Sequence, residues 1–362
     1  MEAAPAGNEP LPRWRIPRIP TWARWTLAVV LAFGMGLWIR GCVRHEKPTT
    51  IRPGDRLERR GDEIVVCGQL FHTGAPVILW TDPGGYDAYR FERRYSPYSE
   101  ASWAATTQKT RDFTTPNRYN LRSSVLSKEQ IDLVRGGGWP LELLQEKVDQ
   151  FVIHYDVAGV SRRCFQILHD QRTLSVHFML DVDGTIYQTL DLKERAWHAG
   201  SANSQSIGIE IANIGAYTPG SSQDPLDQWY KADESGLRAL TLPGWIKESG
   251  IRTPGFVARP YRNDPVTGTI QGRTLRMYDL TAQQYDSLIK LTAAVCTALP
   301  KIKCDYPRDE NGNLITQKLS DEQLKTYQGL LGHYHLTQDK IDPGPAFQWD
   351  LVIDGARKLM KK

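Results

Sequence analysis

Cysteine is scarce and poorly spaced for structural work. The five residues Cys42, Cys67, Cys164, Cys296 and Cys304 include no CxxC pair, which excludes a dense disulfide framework and a CxxC-type metal site. Their odd number leaves at least one without a partner in the chain; Cys296 and Cys304 are close enough for a local disulfide, or stand as two thiols. No HExxH motif occurs, so a metal site cannot be read from one helix. Internal repeats and low-complexity tracts are missing too. Excess charge is slight, at 45 Lys and Arg against 41 Asp and Glu. Residues 1–60 hold eleven of those cations and five of those anions, leaving 34 against 36 for the rest. The basic surplus therefore belongs to the N-terminal arm, and no nucleic-acid partner is expected for the body.

What is present begins with size: 362 residues suffice for one large domain or two ordinary ones, and fifteen Tyr with eleven Trp supply stacking groups suited to carbohydrate or peptide ligands. The run WTLAVVLAFGMGLWI, Trp25 to Ile39, carries no charge and lies between Arg24 and Arg40. It is short for a membrane span, which takes about 20 residues, but tryptophans and arginines at its ends could extend it to the interfaces. Arg13, Arg15, Arg18 and Arg24 precede it, so a cytoplasmic N-terminus and an exported body are expected. This gives a basic arm at 1–24, a membrane anchor at 25–40 and a tether at 41–60. The expected location is the inner membrane, single-pass, with the body on the periplasmic side. Secretion after cleavage of a signal peptide is the alternative.

Further along, EIVVCGQLF and PVILWTD read as two strands joined at His72-Thr73-Gly74-Ala75, the β-hairpin of an N-terminal extension over 61–145. Ser127 and Gln130 suit a capping box for a helix at about 128–135. DQFVIHYD reads as a strand, SVHFMLDVDGTIYQTL as two strands about a type I′ turn at Asp183-Gly184, and SIGIEIANIG as a strand with strict alternation. In the last, Ile207, Ile209 and Ile211 take one face and Gly208, Glu210 and Ala212 the other. Thr281 and Gln284 cap a helix over 282–299. Between them, at about 214–275, lies a long insertion rich in Gly, Pro and aromatic residues; such loops are usually functional or disordered.

Eight histidines are the candidates for chemistry: His45, His72, His154, His169, His177, His198, His333 and His335. A catalytic zinc needs three protein ligands and an open position. Two imidazoles and a carboxylate leave the ion enough charge to acidify water, and His154, His333 and Asp342 would supply that set. His72 fits a solvated turn, His169 the polar face of a helix, and His177 a packing or structural hydrogen-bonding role.

The motifs VIHYD, SVHFMLDVDGTIYQ, RAWHAG, SIGIEIAN, GHYH and KIDPGPAFQW, in that order, resemble the zinc-dependent N-acetylmuramoyl-L-alanine amidases of the phage-lysozyme and peptidoglycan-recognition-protein superfamily. The resemblance covers neither 1–145 nor the insertion. It implies an α/β (α+β) fold with a mixed central β-sheet flanked by helices, and an amidase domain at 146–357. It implies Zn2+ on His154, His333 and Asp342, Glu210 as catalytic acid/base, Lys340 at the developing oxyanion, and His198 lining the substrate groove. Three departures stand out. The 333-to-342 spacing is one residue short, and His335 occupies a position where many relatives have Asp, which makes His335 a rival ligand. Val176 stands where some relatives carry a catalytic Tyr. The implied activity is cleavage of the amide between N-acetylmuramic acid and L-alanine in peptidoglycan. Two other readings remain: a muropeptide recognition module without catalysis, and a metal-free glycosidase pairing Glu210 with Asp181 or Asp183.

Overall fold

Two residues with left-handed backbone, Cys67 and Gly68 (φ 50° and 74°), reverse the chain between β1 (Glu63–Val66) and β2 (Gln69–His72). A two-residue turn of this hand needs φ > 0 at both positions. Asp191 fixes it, accepting from Cys67 N at 2.8 Å and Gly68 N at 2.7 Å. The turn expected at His72–Ala75 is thus misplaced. His72 ends β2, paired with Asp62 at 2.8 Å, and the next residues lead to β3 (Val77–Leu79), which leaves the hairpin for the central sheet. EIVVCGQLF looks like one strand because the groups that stabilise its turn lie far along the chain.

The computed structural model describes residues 52–109 and 115–361. The basic arm, the apolar run at 25–40 and the tether up to residue 51 lie outside the described residues. Among those described, no helix is long and apolar enough to cross a membrane. The described residues from Arg59 onward form one compact unit.

Its centre is a six-stranded sheet. To β3 are added β4 (Gln150–Tyr155), β5 (Phe178–Leu180), β6 (Ile186–Gln188) and β7 (Ser206–Ile211). Two hairpins follow within the insertion region, β8 (Tyr230–Ala232) with β9 (Arg238–Leu240), and β10 (Val266–Ile270) with β11 (Arg273–Met277). The last strand is β12 (Gly329–Gly332). The sheet order is β12-β4-β7-β5-β6-β3; the first four run parallel, β6 is antiparallel to β5, and β3 is parallel to β6. The sheet is therefore mixed, as expected. The β5–β6 connection departs from the two-residue turn expected at Asp183-Gly184. Only Gly184 is left-handed (φ 84°), and Asp181 N bonds to Thr185 O across a longer loop. Asp183 instead uses its carboxylate to accept from Thr185 N and Thr253 N.

Helices flank this sheet. They are α1 (Lys128–Val134), α2 (Leu141–Lys147), α3 (Ser161–Phe165), α4 (Ala282–Ala298) and α5 (Trp349–Met360). The capping boxes Ser127/Gln130 and Thr281/Gln284 both form. On one face of the sheet, Ile207, Ile209 and Ile211 join Leu288, Leu291, Val295, Val352 and Ile353 of α4 and α5 in the main core. Each buried Ile contributes about 1.5–3 kcal/mol. The opposite face carries His154, Gly208 and Glu210, with α3 and the wide turn Gln166–Gln171 alongside. The insertion is folded: Leu226 and Tyr230 pack with Ile214 and Tyr278, and Ala258 with Val182 and Ala212.

Candidate active site

β4, β7 and β12 run parallel, so their C-terminal ends gather at one edge, where ligands of open α/β sheets commonly bind. His154 is near the end of β4, Glu210 near the end of β7, and His333 follows β12 directly. His154 and Glu210 are register partners, so both side chains leave the same face. Beyond His333 the chain turns tightly, with Leu336 N and Thr337 N bonding to His333 O, and returns Asp342 beside it through Tyr334 N to Asp342 O at 3.2 Å.

Three atoms result at mutual distances of 2.9–3.1 Å: His154 Nδ1, His333 Nδ1 and Asp342 Oδ2. Points about 3 Å apart share a position about 2 Å from each and about 1 Å above their plane, which is the bond length zinc takes to imidazole nitrogen and carboxylate oxygen. The donor set fits a zinc ion. Burial and the neighbouring His333 lower the His154 pKa to about 4, so its imidazole is neutral. For Asp342 burial acts upward, but the imidazoles of His154 and His333 beside it outweigh it and hold the carboxyl below the usual range. Both ligands are thus in the protonation states a metal requires.

A chain of hydrogen bonds behind His154 fixes its tautomer. Ser206 Oγ donates to Ala202 O at 2.8 Å, so it accepts from His198 Nε2 at 3.4 Å. His198 Nδ1 then accepts from His154 Nε2–H at 3.0 Å, and the lone pair of His154 Nδ1 faces the other two donors. Gly208 makes room for this ring: a Cβ there would fall 2.4 Å from His198 Nδ1. His198 also lines the cavity.

The other histidines are engaged elsewhere. His335 accepts from Gly332 N at Nδ1 (2.8 Å) and donates from Nε2 to Ile315 O (2.7 Å), so neither nitrogen points to the His154 cluster. His177 accepts from Gly208 N and donates to Glu194 O. His169, expected on a polar helix face, is buried: it stacks on Phe165 and bonds to Asp170 and to Arg90 O, because the 86–95 loop covers it.

A cavity of about 560 Å³ opens over the three donors, and Glu210, Lys340, Asp156, Val157 and Arg172 also line it. Glu210 Oε2 is enclosed and has no hydrogen-bond partner among the described residues. Burial, then the charges of Asp342 and Asp156, push the Glu210 carboxyl well above its usual range. The pairing of Glu210 with Asp181 or Asp183 is not formed: Asp181 accepts from Val182 N and Ser161 N, Asp183 is bound to Thr185 and Thr253, and neither lines the cavity.

Sequence reading missed several residues. Arg122, fully buried, donates to the carbonyls of Leu192, Ser204 and Ser206 and so holds the loop that carries His198. Nothing around it in 61–145 signals this, since its partners are backbone oxygens about 70–80 positions away. Val157 is held at φ 53° on the cavity rim, a conformation costly for a β-branched residue. Asp156 and Arg172 carry no local motif either.

Residues 144–254 match the family model described as N-acetylmuramoyl-L-alanine amidase. That stretch contains His154, His198 and Glu210 and ends before His333, Lys340 and Asp342. No curated protein matches the chain. Among solved structures, a Se-Met AmpD derivative is 18% identical over 66% of this chain and 89% of its own, with a TM-score of 0.31. AmiD from E. coli, in complex with the substrate anhydro-N-acetylmuramic acid-L-Ala-D-gamma-Glu-L-Lys, is 17% identical over 60% of this chain and 59% of its own, TM-score 0.31. The endolysin LysCS from Clostridium intestinale is 15% identical over 60% and 86%, TM-score 0.29. The resemblance running from VIHYD to SIGIEIAN is therefore to the N-acetylmuramoyl-L-alanine amidases, the family whose model residues 144–254 match.

Proposed function

We propose that this chain hydrolyses the amide joining the lactyl group of N-acetylmuramic acid to the L-alanine of the stem peptide in peptidoglycan. The observation that carries the reading is the convergence of His154, His333 and Asp342 on one point, inside a cavity that Glu210 and Lys340 also line.

In this reading His154, His333 and Asp342 hold a zinc ion, which when bound supplies a Lewis acid for the amide carbonyl and acidifies water. Glu210 takes the proton of the attacking water and returns it to the departing alanine nitrogen. Its enclosed position favours the protonated form, so the proton is kept for the leaving group instead of being lost to solvent. Lys340 stabilises the oxyanion as charge develops; removing one donor of that kind costs about 3–4 kcal/mol. His198 lines the groove and keeps His154 in the tautomer that coordination needs. With residues 25–40 as an anchor and 41–60 as a tether, the cavity meets wall polymer outside the cytoplasm, and the intact sacculus is the favoured substrate over a soluble fragment.

Digestion of purified wall by the zinc-loaded full chain tests this. New L-alanine amino groups are expected, abolished by chelation and recovered with zinc. New reducing sugar ends would mean a glycosidase, retention on wall without products a recognition module, and turnover that survives chelation a reaction without the metal.

A further inference from the structure

The segment that walls the catalytic cavity through Cys164, Ile167 and Leu168 lends Arg162, Arg163 and Gln166 to a second pocket, of about 250 Å³. Its other wall is the insertion, Trp245 to Glu248. Trp245 is 59% exposed, an unusual cost for an indole on a folded segment. The Arg163 guanidinium sits 5.6 Å from the Trp245 ring centroid and bonds to Gln166 Oε1 at 2.7 Å. Arg162 pairs with Glu248 at 2.5 Å and stands over the Tyr95 ring. Trp245 meets Trp229 edge-on at 6.1 Å, and Trp229 in turn lies against Gly159, where a Cβ would come within 2.9 Å of its ring. An aromatic ridge thus links the catalytic rim at 157–159 to this pocket.

The pocket's chemistry selects its ligand. One exposed aromatic face suits the apolar face of a sugar ring. Around it stand donors (Arg162, Arg163, Lys247) and acceptors (Gln166, Glu248), which match hydroxyl and acetamido groups that both donate and accept. Arg162 is already paired with Glu248, and a single exposed apolar side chain, Trp245, is too little for a hydrophobic peptide. We propose that this pocket is a saccharide subsite, binding a sugar of the glycan strand that flanks the muramic acid at the catalytic cavity. The assignment rests on the amidase reading for the identity of the strand, and it gives the insertion a role in holding polymer across the cleavage site.

The test is calorimetric titration of the full chain, in mild detergent, with peptide-free glycan strands, which lack the scissile amide. Saturable binding is expected, weakened at least tenfold by Trp245→Ala and several-fold by Arg163→Gln. Trp245→Phe keeps a ring at the site and should retain most of the affinity, which separates lost stacking from lost folding. Leu133→Ala, an exposed apolar residue on α1, should bind as the unmodified chain does. Equal affinity in Trp245→Ala, or no glycan binding by a chain that cuts wall, would overturn the subsite. So would preference for the free stem peptide over the glycan. Glycan binding that depends on Trp245 in a chain that releases no L-alanine amino groups would keep the subsite and remove the amidase reading.

Discussion

At the scale of single residues, side-chain chemistry was readable while partnership was not. His154, His333 and Asp342 are recognisable as a possible donor set because zinc takes imidazole and carboxylate. That His198 stands behind His154, and that His335 spends both nitrogens on backbone groups, depends on atoms distant in sequence. Partners of this kind usually tune metal affinity 10–100-fold. His198→Ala should therefore weaken zinc binding by about that factor, measured on the apoprotein by competition with a chromogenic chelator. His198→Asn, whose Oδ1 can stand where Nδ1 does, should restore most of it. Equal affinity in the Ala variant would dismiss the relay. Glu210→Gln should bind zinc as before yet lose about 10²–10⁴ in kcat on wall. Because the Glu210 carboxyl lies well above its usual range, the acid limb of the wild-type pH–rate profile should sit above the ordinary carboxylate range. Turnover undiminished at pH 4 would contradict a base of that kind.

At the scale of elements, local grammar was dependable and remote grammar was not. The capping boxes at Ser127/Gln130 and Thr281/Gln284 formed because each needs only four consecutive residues. The alternation in SIGIEI assigned its faces correctly, since a strand's period is two. The turn at Cys67-Gly68 escaped notice because Asp191 supplies its hydrogen bonds. The loop after β4 is a further case. Asp156 Oδ1 accepts from Ala158 N, Gly159 N and Asn213 N and so forces Val157, half-exposed, into left-handed backbone at the cavity rim. Left-handed backbone costs an L-residue about 1–2 kcal/mol, and strain of this sort collects at ligand sites. Val157→Gly should raise stability in urea melts by about 1 kcal/mol and raise KM on wall polymer. A stability gain with KM unchanged would mean that the valine contacts no substrate.

At the scale of the whole molecule, stability is tied to protons, and in the proposed reading to a metal. Burial raises Asp149 to about 6 and Asp181 to about 7. Both folded values exceed the unfolded carboxylate value, so their contribution is complete below about pH 4 and is lost as pH rises through 6 to 7. Asp181→Asn should thus match the wild type in denaturant melts at pH 4 and exceed it at pH 8; no difference at pH 8 would argue against a buried, titrating Asp181. An ion bound by β4 and by the loop after β12 stabilises only the folded chain, by about 4 kcal/mol at a thousandfold excess over Kd. Chelation should lower Tm in the wild type and leave His333→Ala unmoved.

The amino-acid order alone determined the strands and helices with short-range signals, the solvent and core faces of β7, and the residue types able to bind zinc, because propensity, capping and periodicity act within a few positions. Tertiary structure decided which histidines meet, that Glu210 Oε2 has no hydrogen-bond partner among the described residues, where the insertion packs and which side chains border Trp245. Those outcomes follow from parallel pairing of β4 with β7 and β12, strands separated by long stretches of chain. Contacts across such separations leave no periodic trace in the sequence, since each depends on the path of everything between.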